Sequence, residues 1–300
     1  MDLKLKTTQF IPARDIVIPD VFYRRMKTGI IEIDELFGEG ILPGSTITLT
    51  AMPGCGKTTL LLQILESLAF NGYETGYASS EESLYQLRFA AKRLNVNNIN
   101  MANISDIDTL IGCMDDLDVM VVDSFQGLTS KEEMNTRELE KYAVSEITKA
   151  AKEKECTVFF IMHLTKTGQI KGGTIVPHTV DVNMRIDVSD ADESIRTISF
   201  TKNRFGPCNE LSLYLDGKGY NFNEKVTIEE FFSKKTNNKS KQMDKILQMK
   251  EPPHITSDRV MKELDVDYQR AYYLLRELVN NNKLCKYGKG KNAIYKLVEL

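Results

Sequence analysis

The residues best equipped for chemistry are Pro53, Gly54, Cys55, Gly56, Lys57, Thr58 and Thr59, within the run Ala51-Met-Pro-Gly-Cys-Gly-Lys-Thr-Thr59. Their spacing fits a phosphate-binding loop: a small residue, four variable residues, then Gly-Lys and a hydroxyl. Gly54 and Gly56 let the backbone curl until successive N–H groups point into one concavity, where they cradle phosphate oxygens. Lys57 then reaches the β- and γ-phosphates, and the Thr58 hydroxyl ligates Mg²⁺. Ala51 stands where glycine is commoner, so that backbone position must accept a Cβ. Binding of a nucleoside triphosphate with Mg²⁺ is the expected chemistry.

Hydrolysis asks for further groups near the loop. Val119-Met-Val-Val-Asp123 reads as an apolar strand ending in a carboxylate. At the carboxyl edge of a parallel sheet, Asp123 orients Mg²⁺ and its water; read blandly, it caps a turn. Ser79-Ser-Glu-Glu-Ser83 follows another strand, and Glu81 is the candidate base that polarises the attacking water. Glu82 is equally explained as a charge complementing a helix dipole. His163 ends the strand Thr157–Met162, where it either senses the γ-phosphate or is a satisfied structural group. The loop behind it carries Lys166 and Lys171, which suit a nucleic-acid backbone.

These groups need a scaffold to bring them together. A β-branched run, Ser45–Thr50, leads into the loop, and the apolar run Leu60–Leu65 leads out into a helix stopped by Asn71-Gly72. Strands are expected near Tyr73–Ser79, Asn98–Ala102, Val119–Asp123 and Thr157–Met162. Between them lie helices, one from about Glu82 and one over 136–154. Strands alternating with helices imply an α/β fold with a parallel sheet covered on both faces. Near 180–187, 195–202 and 210–216 strands follow one another without helices, so an antiparallel extension is expected. Ahead of the core, Ile33, Leu36 and Phe37 form one face of a short helix ended by Gly38.

Three hundred residues, 42% hydrophobic and 27% charged, suffice for a sizeable core plus an appendage. No apolar run approaches the ~20 residues of a membrane span, and Met1–Lys6 lacks a signal peptide's apolar centre. A cytoplasmic protein with no membrane partner is expected. The five cysteines and three histidines are scattered, which argues for reduced thiols and no structural metal. From Lys234 onward 15 basic residues face 8 acidic ones, although the whole chain carries −3. A basic segment on an acidic body points to a nucleic-acid-facing appendage.

The expected organisation is an arm or linker over 1–27, a nucleotide-binding domain over 28–232, a polar linker over 233–242 and a small domain over 243–300. The last reads as helices at Met243–Met249, Asp258–Leu264 and Tyr268–Asn280. A ribbon pairing Lys283–Tyr287 with Ala293–Leu297 completes a winged helix-turn-helix. Ala271, Leu274, Leu275 and Leu278 pack inward in its third helix, leaving Arg270, Tyr273 and Arg276 exposed beside a wing tip carrying Lys289 and Lys291. Such a surface suits duplex DNA, phosphates first, or else a protein partner.

Several motifs together resemble the bacterial RadA (Sms) branch of the RecA-like ATPases, a branch similar to the hexameric DnaB helicases. They are Thr28-Gly-Ile with Asp34 and Leu36, the Pro53–Lys57 loop, Glu81-Glu-Ser83, His163-Leu-Thr-Lys166 with Gly168, His178-Thr-Val-Asp181 and Lys202-Asn-Arg-Phe-Gly206. The similarity spans roughly residues 28–220. It implies a RecA-like P-loop core that hydrolyses ATP between subunits of a ring or filament, with Lys202 and Arg204 reaching the neighbour's nucleotide as charge-stabilising fingers. Loops near 126–136 and 165–177 would line a channel for single-stranded DNA. The chain departs from that branch in lacking a four-cysteine zinc finger before Cys55, in carrying a short basic tail instead of a Lon-protease-like domain, and in the segment after Ser124. The function expected is an ATP-dependent DNA motor, helicase or branch-migration enzyme in recombination, repair or replication. A nucleotide-gated DNA-binding regulator or a loading factor without translocation is the alternative.

Overall fold

The computed structural model describes residues 10–163, 175–190, 192–225, 241–249, 254–266, 271, 274–276, 278–279, 281–287 and 293–298. It divides into two compact units, Met1–Ser189 with Ser194–Lys225, and Asp190–Glu193 with Val226–Leu300.

The first unit is built on β1 (Thr46–Ala51), whose β-branched side chains are buried on both faces. The remaining strands are β2 (Thr75–Ser79), β3 (Asn100–Asn103), β4 (Val119–Asp123), β5 (Thr157–His163), β6 (Val182–Val188), β7 (Ile195–Asn203), β8 (Glu210–Asp216) and β9 (Gly219–Lys225). They form one nine-stranded sheet in the order β3-β2-β4-β5-β1-β6-β7-β8-β9. Pairing is parallel from β3 to β6 and antiparallel from β6 to β9. The expected α/β core with an antiparallel extension is therefore present. The extension has one strand more than expected, β9, beyond residue 216.

Among the described residues six helices pack on this sheet: α1 (Ile31–Leu36), α2 (Lys57–Phe70), α3 (Leu84–Arg93), α4 (Ile107–Cys113), α5 (Thr136–Glu153) and α6 (Ile175–Thr179). Side chains alternate along each central strand, so Val119, Val121, Phe159 and Ile161 join α2 in one core. Met120, Val122, Phe160 and Met162 join α4 and α5 in the other. α2 packs against β1, β2 and β9, burying Leu60, Leu61, Leu62, Ile64 and Leu65 completely. Each such side chain is worth about 1.5–3 kcal/mol.

Helix starts are specified locally. Ser83 caps α3 and Asn135 caps α5, each in a reciprocal capping box with Gln86 and Glu138. The Ser83 cap moves the start of α3 two residues past the expected Glu82. Residues 175–177, expected within a channel loop, instead begin α6. Of the expected arm, Met26 is part of the core and exchanges backbone hydrogen bonds with Ile41, so the chain is anchored before residue 28.

In the second unit, residues 241–247 form α7 and Ser257–Leu264 form α8, while the described residues between 271 and 279 are helical. Strand β11 (Leu284–Tyr287) pairs antiparallel with β12 (Ile294–Leu297). An additional strand, β10 (Ile255–Thr256), pairs with the far side of β12. Ile246, Val260, Ala271, Leu274, Leu275, Leu278 and Tyr295 make a separate core.

Candidate functional site

The phosphate-binding loop connects the end of β1 to the start of α2, and both anchors are buried. Gly54 has φ +79° and Gly56 φ +93°, a left-handed region costly for residues with a Cβ. They are not equivalent. A Cβ on Gly54 would meet nothing within 4 Å, whereas one on Gly56 would lie 2.7 Å from Leu215 Cδ2 and 2.8 Å from the Tyr220 hydroxyl. Behind the loop, the carbonyl of Cys55 accepts from the Tyr220 hydroxyl at 3.1 Å and from Arg196 Nε at 3.3 Å. Strands β7 and β9 thus hold the loop from below, and Cys55 is buried there. Lys57 is buried and folds back over the loop, its Nζ donating to Ala51 O at 3.2 Å and Met52 O at 3.4 Å. Burial lowers its pKa, while Cys55, Asp123 and Glu81 act in the opposite sense. Thr58 and Thr59 open α2, and Arg93 Nη2 donates to Thr59 Oγ1 at 3.4 Å.

The ends of β2, β4 and β5 converge on the same edge. Asp123 is buried at the end of β4, in register with Ser79 at the end of β2. A cis peptide joins Asp123 to Ser124. Glu81 lies just past β2, hydrogen-bonded to the Ser124 hydroxyl through Oε1 and 3.1 Å from His163 Nε2 through Oε2. Ser80 secures this corner, its N–H donating to Asp123 O at 2.7 Å and its hydroxyl to Ser124 O at 3.2 Å. Lys57, Asp123, Glu81 and His163 are thus brought together from four strand ends. Ser124 and Tyr77 were missed in the sequence reading. Tyr77 had a signal, since it alternates with Thr75 and Ser79 on one strand face.

Glu81, Asp123 and His163 each offer a ligand atom, all within 4.8 Å of one another. Burial raises the pKa of Asp123; hydrogen bonding from Tyr77 works against this and the charge of Glu81 adds to it. Glu82 is also raised, by burial and then by Asp123 and Glu81. Like charges gathered beside a phosphate cradle favour a divalent cation. Carboxylate and hydroxyl oxygens from Asp123 and Thr58 are the hard donors that Mg²⁺ takes, and the residues present fit it.

Lys202 and Arg204 are not part of this cluster. Asn203, between them, is paired with Val182 at the beginning of β6, so they lie at the opposite end of the sheet. β1 has six residues, a separation of about 17 Å at strand rise. There Lys202 Nζ donates to the carbonyls of Pro177, His178 and Val180 at 3.2, 2.9 and 2.5 Å. Arg204 Nη1 and Lys152 Nζ contact Asp181 Oδ1 at 3.3 and 3.2 Å. Asp181 is 1% exposed, and its second oxygen accepts from the Thr46 N–H and hydroxyl, both at 3.1 Å. Asn203 closes the following turn by accepting from Phe205 N–H and donating to Pro207 O. The distant Thr28-Gly-Ile motif has a similar local logic: Asp34 accepts from Thr28 N–H and hydroxyl at 2.8 and 2.9 Å, and Thr28 O accepts from Ser67 and Asn71 of the α2 end.

Lys166, Lys171, Arg270, Lys289 and Lys291, the expected DNA contacts, lie outside the described residues. Arg276 is exposed, and Ala271, Leu274, Leu275 and Leu278 are buried. Among the described residues no helix is long and apolar enough to cross a membrane.

A family model described as "ATPase: KaiC" matches residues 26–110. The DNA repair protein RadA of Escherichia coli K12 is 35% identical over 201 residues, 63% of this chain and 42% of the relative. That of Chlamydia trachomatis is 34% identical over 229 residues, 71% of this chain and 50% of the relative. The chain therefore spans half or less of the length of these curated relatives. Among solved structures, the ATPase domain of G40P superposes with a TM-score of 0.55 at 15% identity, covering 65% of this chain and 90% of that one. A DnaB-like replicative helicase, solved in a study of its interactions with primase, gives 0.57 at 14% identity, covering 65% of this chain and 61% of the helicase. At such identities the structural likeness speaks for the fold, while the sequence relatives and the ordered motifs speak for the branch. The ATPase core of this chain is similar in sequence to RadA and shares its fold with DnaB-like ATPase domains.

Proposed function

We propose that the protein is an ATP-dependent motor acting on DNA in repair, recombination or replication. The observation that carries this is the meeting of Lys57, Asp123, Glu81 and His163 at one sheet edge beside a phosphate loop. In this reading the loop N–H groups and Lys57 bind the β- and γ-phosphates, the ammonium exchanging its two carbonyl contacts for stronger charge-assisted ones. Thr58 and Asp123 hold Mg²⁺, which supplies positive charge to the phosphate oxygens. Glu81 orients and deprotonates the attacking water, and it is itself held by Ser124 and His163. Lys166 follows His163 by three positions in the chain, so in this reading a strand bound by that lysine acts on Glu81 through His163, which contacts it.

Lys202 and Arg204 sit too far from their own loop to serve it, which supports action on a neighbouring subunit's nucleotide in a homo-oligomer. The second unit, with its helices and three-stranded antiparallel sheet, supports a winged-helix reading, and the exposed Arg276 suits a phosphate backbone. The test is ATP hydrolysis by purified protein with and without single-stranded DNA, with Lys57→Ala as the blank. Stimulation by the strand of about tenfold or more is expected of a motor. A slow rate indifferent to the strand would replace the motor by a nucleotide-gated regulator.

A further inference from the structure

Tyr77 sits in the middle of β2, directly beside Val121 of β4, and is 1% exposed. Its hydroxyl donates to Asp123 Oδ2 at 2.5 Å. One buried hydroxyl therefore restrains, at the end of β4, a carboxylate that on the function proposed above holds the metal. We propose that Tyr77 is a positioning residue for the metal–nucleotide site, fixing the Asp123 carboxylate so that Oδ1 is presented to the cation while Oδ2 is tied back.

The physical reason lies in where the bond is made. A carboxylate on the last residue of a strand retains rotation about its side-chain bonds, and immobilising it on metal binding costs entropy. A donor that holds one oxygen beforehand removes part of that cost. Partners of this kind orient metal ligands and typically alter metal affinity by about tenfold or more when removed. A simpler role is also open to Tyr77, since a buried carboxylate needs a donor for stability alone. The two roles differ in what they move.

The experiment compares wild type, Tyr77→Phe and Tyr77→Leu in the full chain. Binding of a fluorescent ADP analogue is titrated in EDTA and across Mg²⁺ concentrations, Mn²⁺ binding is followed by electron paramagnetic resonance, and thermal unfolding is recorded for each. With positioning, both variants need about tenfold more Mg²⁺ to reach the tight nucleotide complex and bind Mn²⁺ correspondingly more weakly. Affinity in EDTA stays unchanged, and the two shifts match although leucine also removes the ring and lowers the unfolding midpoint further. Wild-type metal dependence in Tyr77→Phe overturns the proposal. So does failure of Tyr77→Phe to fold, which assigns the hydroxyl to stability. Should wild type itself show no metal-dependent nucleotide binding, the fault lies instead with the reading of Thr58 and Asp123 as metal holders.

Discussion

Lys57 and Lys202 are both held by backbone carbonyls, at opposite ends of the sheet, and they differ in how completely. Lys57 makes two contacts, at 3.2 and 3.4 Å, inside the phosphate loop. Lys202 makes three, at 2.5 to 3.2 Å, where α6 runs into β6. An ammonium has three donors. Lys202 spends all of them on its own chain, while Lys57 has two long bonds that a phosphate easily outcompetes. Burial lowers the pKa of both, so desolvation does not distinguish them. The count and length of the contacts do: Lys57 is poised for a ligand, whereas Lys202 must break bonds that also brace the fold before it can reach a neighbour.

The largest effect that sharpens this contrast is expected from Lys57→Ala. Losing charge-assisted bonds to phosphate should weaken nucleotide binding by about 100-fold, read by calorimetry, with the unfolding midpoint nearly unchanged. Lys202→Ala should do the reverse. Nucleotide affinity stays as in wild type, the unfolding midpoint falls as three carbonyls lose a partner, and hydrolysis drops by at least about tenfold if the group acts across subunits. Mixing Lys202→Ala with Glu81→Ala subunits then restores part of the rate, because intact composite sites form. Absence of recovery would leave Lys202 as a brace alone.

A smaller effect separates the two loop glycines. Gly54→Ala should cost only the left-handed backbone strain, about 1–2 kcal/mol. Gly56→Ala adds contact with Leu215 and Tyr220, and the clash should disturb the hold that Tyr220 has on the Cys55 carbonyl. Denaturant unfolding measures both; equal losses would mean that β9 yields freely and does not brace the loop.

Much of the core was legible because its signals are local. β4 and α5 were anticipated within a residue of Val119–Asp123 and Thr136–Glu153, since an apolar run closed by Asp and apolar residues recurring every three or four positions need no distant partner. β9 had a local signal as well, Tyr220-Asn-Phe-Asn223 alternating after the Gly217-Lys-Gly219 turn, although its pairing rests on β8 and on Gln63 of α2. β10 was not legible, because a two-residue strand is defined only by its neighbour β12. Period and spacing report the near environment of a residue, and a strand as short as β10 is specified by the far one.

The amino-acid order alone settled that a phosphate loop exists, that a carboxylate follows an apolar strand, and that strands alternate with helices, because each follows from residue type within about ten positions. Only the tertiary structure decided which strand ends meet. Parallel pairing in the order β2-β4-β5-β1 carries Glu81, Asp123, His163 and Lys57 to one edge, while β7, running the other way, carries Lys202 and Arg204 to the opposite one. It also decided that Tyr77, 46 residues before Asp123, would hold that carboxylate. Such contacts depend on register between strands, which is set by packing of both cores at once and by no single stretch of the chain.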